Sequence, residues 1–200
     1  MKADPVDPDK KVIAAAAETI RSGGLVGFPT ETVYGIAANL DDPKAIDRLY
    51  AIKNRPKNKP FTVHIAEEAS IIEAGCVVNE EASHLIKKFW PGPLTIILKS
   101  KKGAKIGFRM PENRIALELI RACGVPIAAP SANISGHPAP TDASSVLKEL
   151  DGKIEMVIDG GNTRIGVEST VVDLTEKEPK VLREGAITSH RIKEIFLPPV

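Results

Sequence analysis

The chain has 200 residues, 42% of them hydrophobic, and its 27 Lys plus Arg against 26 Asp plus Glu leave a net charge of +1. That length and apolar content suit one compact domain with a sizeable core. The charge balance argues against a generally basic nucleic-acid binder or an acidic tail, while leaving room for a local basic patch.

In chain order, Asp7 is positioned to cap a helix over Lys10–Arg21, with Val12, Ile13, Ala16 and Ile20 on one face. Ser22-Gly23-Gly24 ends it, and a buried strand, Leu25–Phe28, follows. "DDPKAIDRLYAIKNRP" reads as a helix capped near Asp42, with Pro43 at its first position and its end before Pro56. A strand over Pro60–Ala66 leads to helical stretches at Glu67–Ala74 and Asn79–Phe89. "PLTIILKS" and "KIGFRMP" read as strands joined through Lys101-Lys102-Gly103. A helix over Asn113–Cys123 runs through Gly124 into the buried segment "VPIAAPSA". A short helix at Asp142–Leu150 precedes strands Glu155–Asp159, Ser169–Leu174 and Lys180–Arg183, and a helix over Ser189–Phe196 closes the order. The mixture of hairpin turns and crossovers predicts one α/β domain with a mixed parallel and antiparallel sheet flanked by helices.

Cys76 and Cys123 lack CxxC or His-rich neighbours, so they read as buried apolar residues and not as a zinc site or a disulfide. "MKADPVDPDKK" has no signal-type apolar segment and no run approaches the ~18 residues of a membrane span, which predicts a soluble, cytoplasmic protein with no membrane partner. Aromatic residues make up 4%, too few for an evident base-stacking platform.

Polar clusters recur just after apolar strands, where α/β proteins bind ligands. "FPTETVYG" presents Thr30, Glu31, Thr32 and Tyr34 together, either as a solvated loop or as a pocket wall. "KNRPKNKPFTVHIA" crowds Lys53, Arg55, Lys57 and Lys59 between prolines that limit the loop's freedom, and an anionic ligand with phosphates would explain it. Alternation puts Thr62 and His64 on one face of a strand, with Phe61, Val63 and Ile65 on the other, so the polar face either packs or looks into a cleft. In "GFRMP", Arg109 suits either a structural ion pair or a fork onto a carboxylate. "PIAAPSANISGHPAPT" offers small residues for close backbone approach to a ligand, "GVESTVVD" brings Ser169 and Thr170 into a strand, and "VLREG" ends one at Arg183. No GxxxxGK[ST], GxGxxG, GxSxG or HExxH sequence occurs.

Together these stretches resemble the YrdC-like family of threonylcarbamoyl-AMP synthases, through "FPTETVYGIAAN", "YAIKNRPKNKPFTVHIA", "WPGPLTIIL", "GFRMP", "APSANISGHPAPT", "GVESTVVD" and "LREGAIT", in order, from about Gly23 to Thr188. The resemblance implies a twisted mixed sheet with a deep basic cleft. It implies a nucleotidyltransferase that makes threonylcarbamoyl-AMP and pyrophosphate from L-threonine, bicarbonate or carbon dioxide, and ATP. A partner complex then carries the threonylcarbamoyl group to a tRNA adenosine next to the anticodon. It places Thr32, His64, Arg109 and Ser169 around threonine, and Arg55, Lys59, Ser131 and Arg183 around ATP, with Lys105 and the backbone near Ala129 and Ala139 as neighbours. Lys53 and Arg55 would be the catalytic cations and Tyr34 would line the same cleft, while Glu31 has no assigned role beyond facing water or pairing with a lysine. Mg²⁺ would accompany ATP, held mainly by its phosphates. The match is to the short, single-domain form, since Pro198-Pro199 is too short a tail for the linker that longer members carry.

A rival expectation is an RNA-binding module using the Lys53–Lys59 run on double-stranded RNA or tRNA without nucleotide turnover. A third is a carbamoyl-transfer domain of the kind found in the related, much larger hydrogenase-maturation proteins.

Overall fold

A computed structural model describes residues 1–196, and the Pro198-Pro199 tail lies outside them. Helix α1 (Lys10–Arg21) buries Val12, Ile13, Ala16, Ala17 and Ile20 along one stripe. Its cap is Asp9, whose carboxylate accepts from the Lys11 amide at 2.8 Å, and not Asp7. The helix starts at Lys10, so only the residue directly before it can reach the first unpaired amides.

Strands β1 (Val26–Phe28) and β2 (Gly35–Asn39) form an antiparallel pair, Val26 opposite Ala37 and Phe28 opposite Gly35. β2 was not expected, because Gly and Ala favour strands weakly and "GIAAN" carries no alternation. Its tertiary setting decides it: β1 lies on one side and the strand made by Ile127 and Ala128 on the other. Helix α2 (Pro43–Ile52) is capped by Asp42, as expected.

The predicted strand over Pro60–Ala66 contracts to β3 (Val63–His64). Pro60 has no amide to give a ladder. The extended pairing nonetheless runs one residue further each way, from the Ala129 amide to the Thr62 carbonyl at 3.0 Å and from the Ile65 amide to the Arg109 carbonyl at 2.9 Å. Helices α3 (Ala69–Glu73) and α4 (Glu80–Phe89) follow, the second capped by Asn79. β4 (Leu94–Lys99) and β5 (Lys105–Arg109) make the expected hairpin. α5 (Arg114–Cys123) ends on Gly124 at φ +62°, a left-handed cap that favours glycine. β6 (Ile127–Ala128), α6 (Ala143–Leu150), β7 (Met156–Val157), β8 (Thr170–Asp173) and β9 (Lys180–Arg183) come next. α7 (Ser189–Glu194) stops two residues short of the expected end.

The strands form one nine-stranded sheet in the order β7-β1-β2-β6-β3-β5-β4-β8-β9. β1–β7, β3–β5 and β4–β8 are parallel pairs and the other neighbours antiparallel, so the expected mixed sheet is what forms. Strand alternation feeds apolar side chains to both faces. Val26, Phe28 and Ala37 pack against α1 and α5, while Leu25, Ile36 and Ala38 pack with residues of α2 and α6. A third cluster joins Leu94, Ile96 and Phe108 to α3, α4 and Ile192 of α7. Each fully buried Ile, Leu or Phe contributes about 1.5–3 kcal/mol. Cys76 and Cys123 are buried and free, as the sequence suggests. No helix among the described residues is long and apolar enough to cross a membrane.

Candidate active site

The central strands point their polar positions the other way. In register, His64 sits beside Arg109 and Val63 beside Phe108. Phe108 and Ile96 pair across the hairpin and both enter the core. Alternation therefore turns His64, Arg109 and Thr95 together onto the opposite side. There they line a hollow of about 520 Å³, counting its open mouth, whose wall includes Arg55, Ser131, Ser169 and Arg183. Residues from Arg55 to Arg183 thus converge on one place.

Arg109 is 5% exposed, and its Nη2 donates to Glu31 Oε1 at 2.9 Å and to Thr32 Oγ1 at 2.7 Å. Both readings of this arginine meet here: it is half of a buried ion pair and it also faces the hollow. Glu31, 2% exposed, neither faces water nor pairs with a lysine. Thr30 Oγ1 donates to the Val33 carbonyl at 2.6 Å, which spends its one proton. The 2.9 Å contact between Thr30 Oγ1 and Thr32 Oγ1 must then carry the Thr32 proton. Thr32 is left with acceptor capacity only, and it lies fully buried beneath Arg109.

His64 is 5% exposed, its ring edge-on to Phe28 at 6.2 Å between centroids, and its Nδ1 has no partner. Burial first, and the Arg109 charge second, hold its pKa well below the usual imidazole value, so the ring is neutral at pH 7. Burial likewise lowers the Arg109 guanidinium, with Glu31 opposing. Arg55 Nε and Nη2 donate to the Lys59 and Pro60 carbonyls at 2.9 and 3.1 Å, and its guanidinium lies 5.3 Å from the Phe61 ring centroid. The prolines and the ring hold that cation in place. Arg183 donates to the Ser169 carbonyl from Nε at 3.1 Å and from Nη2 at 2.9 Å, and its Nη1 pairs with Glu168 at 2.9 Å.

Five expected site residues do not line the hollow: Thr32, fully buried against Arg109, and four that sit elsewhere. Lys53 is 2% exposed and donates from Nζ to the Ser131 carbonyl at 2.5 Å and the Asn133 carbonyl at 2.6 Å. It clamps the loop that carries Ser131 and does not line the hollow. Burial, with Arg55 adding, pushes its pKa down to about 8. Lys105 is exposed at the start of β5 and pairs with Asp173 at 3.1 Å and Glu176 at 3.4 Å; it shares a strand face with Arg109 but stands four residues, about 13 Å, up the strand from it, beyond the hollow. Lys59 is exposed and meets Arg55 through its carbonyl alone, and Ala139 lines a neighbouring recess with Asn133, Thr141 and Glu149. Tyr34 is fully buried, its hydroxyl donating to the Gly161 carbonyl and accepting from the Gly160 amide, so it braces the turn and does not line the cleft. Ala129 does line the hollow.

Sequence reasoning did not single out Thr95 or Glu168, both on the wall. The signal for Thr95 was present in "PLTIIL", where it is the one polar residue opposite the face of Leu94 and Ile96. Nothing local marks Glu168. Among the described residues no cluster of three His, Cys, Asp or Glu side chains could hold a metal ion.

Comparison with known proteins agrees with this architecture. The Sua5/YciO/YrdC sequence profile, described as "Telomere recombination", matches residues 18–185. The chain belongs to the Sua5/YciO/YrdC family. Within that family it is 47% identical over 193 residues to a threonylcarbamoyl-AMP synthase of Pyrococcus abyssi, covering 92% of this chain and 57% of that protein. It is 43% identical over 205 residues to a threonylcarbamoyl-AMP synthase of Bacillus subtilis, covering 98% and 59% respectively. The crystal structure of P. abyssi Sua5 complexed with L-threonine superposes with a TM-score of 0.91 at 45% identity, over 98% of this chain and 60% of that one. The chain therefore spans somewhat under two thirds of these Sua5/YciO/YrdC relatives.

Proposed function

We propose that this protein is an L-threonylcarbamoyl-AMP synthase, a nucleotidyltransferase that converts L-threonine, bicarbonate or carbon dioxide, and ATP to threonylcarbamoyl-AMP and pyrophosphate. The observation that carries the reading is the convergence of His64, Arg109, Ser131 and Ser169 with Arg55 and Arg183 on one hollow. The relatives named for this activity and the threonine complex of P. abyssi Sua5 support it.

The chemistry suits these side chains. Threonine's amine captures carbon dioxide to give a carbamate, and the carbamate oxygen attacks the α-phosphorus of ATP. The nucleophile comes from the substrate, so no serine or cysteine of the protein need become covalently attached. Alignment and charge remain as the protein's work. Arg109, His64 and Ser169 would receive threonine, the arginine taking its carboxylate and the neutral groups its polar atoms, with Thr32 holding Arg109 in place from behind. Arg55, Ser131 and Arg183 would meet ATP and offset charge growing on the leaving pyrophosphate. Lys53 would act by setting the Ser131 loop. Mg²⁺ would ride on the phosphates, since the wall of the hollow presents one carboxylate, Glu168. The product would pass to a threonylcarbamoyl-transfer complex acting on tRNA in the cytoplasm.

The RNA-binding alternative has less support. Of the Lys53–Lys59 cations, Lys53 is buried on carbonyls, Arg55 faces the hollow and Lys57 pairs with Asp47 at 2.5 Å. Among the described residues, Lys59 alone of the four is exposed without an acidic partner. The test is mass spectrometry of purified protein given ATP, Mg²⁺, bicarbonate and L-threonine. A threonine-dependent adenylate with pyrophosphate release is expected, and its absence rejects the synthase reading.

A further inference from the structure

Thr95 of β4 and Ser169, one residue before β8, are 3% and 4% exposed, and both line the hollow. Their hydroxyl oxygens lie 2.9 Å apart, and either can be the donor. Arg183 Nη2 donates to Ser169 Oγ at 3.3 Å. A guanidinium has only protons to give, so it occupies a lone pair of Ser169. The couple holds two hydroxyl protons and its mutual bond spends one. If Thr95 donates, Ser169 keeps its proton for the hollow; if Ser169 donates, Thr95 keeps its own. In both cases one donor and at least one acceptor are left, buried and side by side. The parallel register of β4 on β8, Leu94 opposite Thr170 and Thr95 opposite Val171, fixes the backbones that carry them.

We infer that Thr95 is a specificity-determining residue, forming with Ser169 a two-hydroxyl reader for the side-chain alcohol of a β-hydroxy amino acid. The inference rests on the proposed amino-acid substrate. An alcohol both donates and accepts, and so satisfies the couple. L-valine has nearly the shape of L-threonine but would leave two buried hydroxyls facing methyl groups, and sites built this way reject such isosteres strongly.

The test compares Thr95→Val and Thr95→Ser with wild type, using adenylate formation from L-threonine against L-valine and calorimetric binding of each amino acid. Valine keeps the shape of threonine and suits a strand, and thermal melts of both variants check folding. Thr95→Val should raise the KM and Kd for L-threonine roughly 10–100-fold, narrow the threonine-over-valine preference, and leave the KM for ATP within about 2-fold, while Thr95→Ser restores the wild-type values. A Thr95→Val protein with unchanged threonine affinity and preference, or with an equal loss toward ATP, overturns the inference. A wild-type protein that binds threonine without forming the adenylate overturns the synthase reading instead, and the binding comparison still decides the role of Thr95.

Discussion

The carboxylate of Glu31 and the guanidinium of Arg109 meet at 2.9 Å with their side chains 1% and 6% exposed. The pair joins the turn after β1 to the end of β5, where Arg109 lines the hollow. Buried pairs gain little over a well-packed apolar pair, but removing one partner strands the other charge. Glu31→Ala should therefore lower unfolding stability by about 3–5 kcal/mol in urea titrations. A double variant, Glu31→Gln with Arg109→Met, should cost less than the sum of the two single changes, and strict additivity would show that the two residues are not coupled.

Lys53 offers a pH-dependent signature. Its pKa falls from 10.5 to about 8 on folding. Between those values the unfolded chain holds a proton that the native state has released, so stability from this group rises with pH across that window. Below about 8 the penalty for burying the charge is fully present. Lys53→Met also leaves the Ser131 and Asn133 carbonyls unpaired, at about 1–3 kcal/mol each. The stability gap between wild type and Lys53→Met should widen as the pH is raised from 7.5 to 9.5. A constant gap would mean that the amine titrates as an exposed lysine does.

Gly185 controls Ser169 through contact. A Cβ at Gly185 would stand 2.2 Å from the Glu168 carbonyl oxygen and 2.8 Å from that of Ser169. Both are backbone atoms, so nothing flexible can yield. Gly185→Ala should destabilise the fold by about 1–3 kcal/mol and displace Ser169, raising the threonine requirement. A variant with wild-type melting and kinetics would break this link.

On the proposed reading Arg55 serves ATP directly, and Thr32 serves threonine through Arg109. Arg55 is held by the Lys59 and Pro60 carbonyls and by Phe61, so its removal subtracts a positioned cation. Arg55→Ala should raise the KM for ATP roughly 10–100-fold and spare that for threonine. Thr32→Val, beneath Arg109, should do the reverse. Steady-state kinetics with each substrate varied checks both, and the same defect toward both substrates would reject the division.

Much of the fold was legible because its signals are short-range. Apolar spacing marked α1 and α2, and Asp42 announced a helix start two residues away. β2 was missed for the same reason: Gly35, Ala37 and Ala38 have no local preference that says strand, and their partners β1 and β6 supply it. The candidate site was half legible. Polar residues at alternate positions of apolar strands, His64 and Arg109, do face the hollow. Lys53 joins them through the charge of its run and Lys105 through the resemblance alone, and neither says where a side chain points.

By itself, the sequence determined which segments coil or extend, which faces are apolar, and that hydroxyl and cationic residues cluster after strands. Those properties depend on neighbours a few positions away. Only the tertiary structure decided what each polar side chain meets. Thr95 finds Ser169 across 74 positions, Arg109 finds Glu31 across 78 and Lys53 finds Asn133 across 80. Whether a lysine reaches solvent, a carbonyl or a ligand follows from those long-range contacts, because burial and hydrogen-bond partners arise only once the sheet has assembled.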